Sequence, residues 1–92
     1  MWTIEYDENA TRELAKLDRQ AAKRIKKYLD EHIATDEDPR RFAEELKSNL
    51  AGLWRYRVGD YRIIAEIQDE KILILIIRIG HRSKIYGGIS LE

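Results

Sequence analysis

Apolar and polar residues alternate from Trp2 to Tyr6 over a composition that favours extended chain, and the run stops at Asp7, a good helix N-cap. The pattern predicts a first strand. Beyond it Ala10, Leu14 and Leu17 recur at helical spacing, and after Asp18 the set Ala21, Ala22, Ile25, Tyr28, Leu29 and Ile33 repeats that period. Two amphipathic helices are therefore predicted, nearly back to back, each capped by an aspartate. Thr35 to Asp38 is polar loop, and Pro39 suits the first turn of a short helix through about Lys47, followed by a turn over Ser48 to Gly52. Ile72 to Ile79 is almost uninterrupted β-branched and leucine sequence, the pattern of a central strand covered on both faces. Together these elements predict an α+β fold: an N-terminal strand and two helices packed on one face of an antiparallel β-sheet.

The most informative stretch is Leu53 to Ile64, where alternation resumes on both sides of Gly59-Asp60. A two-residue loop with glycine first joins antiparallel strands well, because glycine accepts positive φ. Register follows from loop length: Val58 faces Tyr61, Arg57 faces Arg62, Tyr56 faces Ile63 and Arg55 faces Ile64. Arg55, Arg57 and Arg62 then share the face opposite the helices, while Trp54 and Tyr56 turn to packing. Like charges set against each other across two strands cost some tenths of a kcal/mol. An anion is the simplest missing partner. Arg78 stays open, since a three-residue turn at Asp69-Glu70-Lys71 sets it opposite Arg62 and a two-residue turn puts it on the other face.

Ninety-two residues make one domain, 1–92, able to bury roughly two thirds of its unfolded surface. With 43% hydrophobic and 37% charged residues, the composition excludes disorder, and no apolar run reaches the length of a membrane span. Cysteine is absent, which excludes disulfides, zinc-thiolate sites and thiol nucleophiles, and no signal-peptide pattern opens the chain. A soluble protein of the cytoplasm is expected. The formal net charge of zero argues against a protein that clings to nucleic acid through a general positive field. Charge is uneven, however: residues 51–92 carry 7 basic and 5 acidic side chains, against 10 and 12 in residues 1–50. On the second helix Lys23, Arg24, Lys26 and Lys27 form either a solvated stripe or a footing on RNA.

Directly after the apolar strand, Gly80-His81-Arg82-Ser83-Lys84-Ile85-Tyr86 gathers an imidazole, a guanidinium, an ammonium and a phenol. Brought beside Arg55, Arg57 and Arg62, they would supply fixed cations for a phosphate, a histidine to move protons and a ring to meet a sugar or base. Such a group suits RNA cleavage by the neighbouring 2′-hydroxyl, which needs a proton acceptor, a proton donor and cations aimed at developing charge, with no metal or cofactor. Each residue also has a plainer reading: His81 as a loop hydrogen-bonder, Tyr86 as a lid on the core, His32 as structural. No phosphate loop, zinc spacing or nucleophile elbow is present.

From Leu46 and Gly52 through Ile64, then the apolar strand and Gly80 to Tyr86, the chain resembles the RelE/ParE superfamily of bacterial type II toxins over essentially its whole length. The resemblance implies a RelE-like fold and an endoribonuclease that cuts messenger RNA in the ribosomal A site. It also implies a cognate antitoxin from the same operon, through which the pair reaches operator DNA, and no membrane. By position, Arg55 and Arg57 match basic residues of the first hairpin strand, Arg62 the arginine on the scissile phosphate, and Arg82 the one supporting the leaving group. Tyr86 matches a tyrosine that orients the nucleotide; Lys84, Lys23 and Lys27 are further candidates for RNA binding. Some members carry a lysine proposed as general base where Arg55 stands. A guanidinium is too weak an acid for that role, so His81 replaces it as the expected proton carrier. Two rival outcomes are a ParE-like poison of DNA gyrase and an inactive module that only binds antitoxin and represses.

Overall fold

A computed structural model describes residues 1–84. Strand β1 (Thr3–Tyr6) leads into helix α1 (Glu8–Lys16), and α2 (Arg19–Tyr28) follows after two residues. Both predicted caps form. Asp7 accepts from the Ala10 N–H and Asp18 from the Ala21 N–H, each at 2.7 Å, which satisfies amides that a helix start leaves without partners. A π-helical turn, Leu29–Ile33, continues α2 and keeps both of its terminal apolar side chains in the core. Strands β2 (Glu44–Glu45), β3 (Leu53–Val58), β4 (Tyr61–Gln68) and β5 (Leu73–His81) complete a five-stranded sheet of order β1-β5-β4-β3-β2.

The core lies between the helices and one face of the sheet. Ala10, Ile25, Leu29 and Ile33 pack with Tyr56, Val58, Ile63, Ala65, Ile74, Ile76 and Ile79, all buried. Burying a leucine or isoleucine side chain stabilises by about 1.5–3 kcal/mol, so this layer dominates the fold. A smaller cluster of Leu46 and Ile64, with Leu50, Leu53 and Ile77 against it, covers part of the opposite face.

The α+β arrangement is the expected one, with three differences of detail. First, β1 pairs with β5 in parallel, Ile4 beside Ile74 and Tyr6 beside Ile76, so the sheet is mixed rather than antiparallel. Second, the segment after Pro39 is helical only over Pro39–Phe42, in a 3-10 turn, and then extends to pair Glu44 with Arg55 and Glu45 with Trp54. An open strand edge outweighs the helix propensity of Ala43 to Lys47. Third, β5 sits beside the central strand β4, and only its Ile74, Ile76 and Ile79 are fully covered; Leu73, Leu75 and Ile77 are half-buried on the other face.

Arg78 joins neither alternative in its simple form. A bulge between Ile64 and Ala65 resets the β4–β5 register, and Arg78 reaches Glu13 of α1 instead, with Nε 3.0 Å from Oε2. The same carboxylate accepts from the Ile79 N–H at 2.7 Å, and Asn9 Nδ2 donates to the Ile77 carbonyl at 3.1 Å. Polar side chains of α1 thus cover the edge of β5 where β1 has ended.

Candidate active site

The hairpin forms in the expected register, Arg57 opposite Arg62 and Arg55 opposite Ile64, around Gly59 at φ +60°. All three arginines emerge from the face away from the helices. At the end of β5 the chain is pulled back to the hairpin turn, because the Arg82 N–H donates to the Asp60 carbonyl at 2.8 Å. The result is a cavity of about 440 Å³ lined by Arg55, Arg57, Arg62, His81, Arg82 and Ser83. Residues far apart in sequence therefore meet around one concave cationic surface. Tyr86 lies outside the described residues.

An internal anion already serves part of this surface. Glu44, brought in by β2, accepts from Arg55 Nε at 2.9 Å and from Arg57 through Nε at 2.9 Å and Nη2 at 3.2 Å. Burial of the Glu44 carboxyl raises its pKa, but the hydrogen bonds and charges of Arg55 and Arg57 outweigh that and hold it below the ordinary carboxylate value. The repulsion inferred between the arginines is thus relieved from within the chain. Sequence reading missed Glu44, since it placed Glu44 on a helix; its only signal was an acidic pair directly before Leu46.

Arg62 is held differently. Its Nη1 donates to the Gly59 and Tyr61 carbonyls, both at 2.9 Å, which fixes the guanidinium on the turn. Among the described residues its Nε and Nη2 make no hydrogen bond, leaving a fork for an incoming oxyanion. Arg82 Nε lies 3.5 Å from Asp60 Oδ1, with both side chains largely exposed. The His81 ring packs edge-on to Tyr61, centroids 5.7 Å apart. Ser83 N–H donates to His81 Nδ1 at 3.1 Å and Ser83 Oγ lies 2.8 Å from it, so this nitrogen carries the lone pair and Nε2 the proton of the neutral ring.

The remaining candidates are spread out. Lys84 lines a separate groove of about 680 Å³ between α1 and the end of β5, which His81 and Ser83 also border. Lys27 shares a cleft with Arg57 at the turn end of the hairpin and also borders, with Lys23, Leu14 and Leu17, a groove on the side of α2 that turns towards α1. His32 stacks obliquely on Tyr28, centroids 5.0 Å apart. Trp54 and Tyr56 point away from the arginines: the Arg40 guanidinium lies 5.5 Å from the Trp54 ring centroid, and the buried Tyr56 hydroxyl donates to the Pro39 carbonyl at 2.6 Å. Among the described residues no three His, Cys, Asp or Glu side chains cluster as metal ligands would. No described helix is long and apolar enough to cross a membrane.

Two helices over a five-stranded mixed sheet, with a basic cavity on the bare face, define a toxin of the RelE/ParE superfamily. Residues 4–86 match the family described as the ParE toxin of the type II toxin-antitoxin system parDE, and the chain belongs to that family. Among individual proteins it is similar to toxin RelG of Mycobacterium tuberculosis, 29% identical over 92% of this chain and 95% of the relative. It is also similar to the mRNA interferase toxin RelE of Escherichia coli, 29% identical over 91% of this chain and 88% of the relative. The toxin-antitoxin complex RelBE2 of M. tuberculosis contains a chain that superposes with a TM-score of 0.81 at 28% identity, covering 90% of this chain and 93% of that one. A free mutant RelE of E. coli superposes with a TM-score of 0.73 at 27% identity, covering 94% and 90%.

Proposed function

We propose that this toxin is a ribosome-dependent, metal-independent endoribonuclease that cuts messenger RNA by attack of the 2′-hydroxyl, leaving a cyclic phosphate and a free 5′-hydroxyl. One observation carries the reading: four arginines and a histidine from the hairpin and the end of β5 line a single cavity. Arg57 and Arg62 hold the phosphate, with Arg55 as an auxiliary cation. Arg82 supports the departing oxygen. His81 moves protons, releasing Ser83 from Nδ1 as it does so, since the guanidiniums cannot titrate. Tyr86 positions the nucleotide, and Lys84 and Lys27 extend the basic surface on either side. The mRNA interferase name of the E. coli relative supports the same chemistry.

A cognate antitoxin is the expected protein partner, supported by similarity to a chain of the RelBE2 complex, and operator DNA is reached only through it. Its acidic side chains would meet the arginines while an amphipathic segment covers apolar surface. The setting is the cytoplasm, where messenger RNA is translated. The family description names ParE, which favours a second reading: a gyrase poison that acts by binding. Inducing the protein and mapping 5′ ends of messenger RNA on stalled ribosomes, with gyrase-dependent DNA breaks measured in parallel, separates the two. In-frame cuts support the nuclease; DNA breaks without cuts overturn it.

A further inference from the structure

Arg57 borders two cavities. Besides the arginine cavity, it lines a cleft of about 290 Å³ between α2 and the end of the hairpin, with Arg24 and Lys27 as further cations and Tyr28 and His32 as aromatic walls. That volume is near the lower end for small-ligand pockets and admits a nucleobase. Glu31 is the single acidic side chain in the lining. Among the described residues neither Arg24 nor Lys27 makes an ion pair, in contrast to Arg55 and Arg57, which share Glu44. The Arg24 guanidinium lies against the hairpin turn, so close that a Cβ on Gly59 would sit 2.7 Å from it. The bare glycine lets a helix cation reach the hairpin.

Cations that track a backbone beside aromatic faces that accept any base are how single-stranded nucleic acid is gripped without sequence readout. We infer that this cleft is a second subsite for single-stranded RNA: the nucleotide next to the scissile linkage passes Arg57, sets its phosphate between Arg24 and Lys27 and stacks its base on His32 and Tyr28. The inference rests on the nuclease reading, because Arg57 is the link between the two cavities. Of the α2 stripe it makes Arg24 and Lys27 substrate contacts, since both border the cleft, Lys27 bordering the neighbouring groove as well, and leaves out Lys23, which lines only that groove.

The test uses the whole protein and fluorescein-labelled 2′-O-methyl oligonucleotides, which cannot be cut, followed by anisotropy. Arg24→Ala/Lys27→Ala is expected to reduce the ratio of tetranucleotide to dinucleotide affinity about tenfold. The slope of log affinity against log salt for the tetranucleotide should shrink by about 0.7, the loss of one phosphate contact on a single strand. His32→Ala, at an exposed position, should weaken the tetranucleotide alone by about fivefold or more through lost stacking. If the ratio and slope stay within error while Arg57→Ala still abolishes binding, the subsite is refuted and the active site stands. Equal losses for both lengths refute it as well, since they mark a diffuse field. Failure of the unsubstituted protein to bind either oligonucleotide at low salt overturns the subsite, whereas the nuclease reading stands or falls on the 5′ ends mapped on stalled ribosomes.

Discussion

Glu44→Gln tests whether the internal carboxylate competes with substrate for the arginines. In the folded chain Glu44 contacts both Arg55 and Arg57 at 2.9 Å, with side-chain exposures of 46% for Glu44, 18% for Arg55 and 56% for Arg57. Unit charges 4 Å apart interact by about 1 kcal/mol in water and about 4 kcal/mol at an effective dielectric of 20. Half-exposed groups lie nearer the first figure, so a phosphate entering beside Glu44 meets a repulsion of about 1–1.5 kcal/mol. Removing the charge should tighten binding of an uncleavable single-stranded oligonucleotide about tenfold, read by anisotropy at fixed ionic strength. Thermal unfolding should show a loss of no more than about 1–2 kcal/mol, because exposed ion pairs contribute about 1 kcal/mol each at most. The effect is tied to pH. Since the folded-state pKa of Glu44 is depressed, its stabilisation is fully present above the unfolded carboxylate value and fades as pH falls through the folded one. Acid should therefore bring the unsubstituted protein towards the variant. Unchanged or weaker RNA binding by a folded Glu44→Gln protein would refute the idea that Glu44 holds the place of a phosphate.

Arg62→Ala and Arg82→Ala should each lower the rate of message cleavage by about 10²-fold or more, the scale seen when a donor aimed at developing charge is lost. Growth arrest at full strength on induction of both variants would show that the assigned roles are wrong. Tyr56→Phe removes the donor to the Pro39 carbonyl at 2.6 Å, and chemical denaturation should report a loss of about 1–3 kcal/mol. Ile72 is an exposed β-branched residue at φ +51°, where a side chain is strained, so Ile72→Gly should gain roughly 1 kcal/mol. A lowered melting temperature for that variant would count against a left-handed conformation at this position.

Local periodicity and chemistry determined much of this protein. The two capped helices, the Gly59-Asp60 hairpin with its register and the shared face of Arg55, Arg57 and Arg62 all follow from interactions within a few residues of each other. What pairs with what across the chain does not. The parallel entry of β1 depends on how the helices carry the chain over the sheet, and the bulge that sends Arg78 to Glu13 depends on fitting β5 against both β4 and α1. Most consequential is Ala43 to Lys47, which locally favours a helix. The open edge of β3 draws it into a strand, and only that tertiary pairing delivers Glu44 to Arg55 and Arg57. A sequence can show that three cations share a face; where their counter-charge comes from is decided by the fold, because strand edges satisfy backbone groups that local propensity does not count.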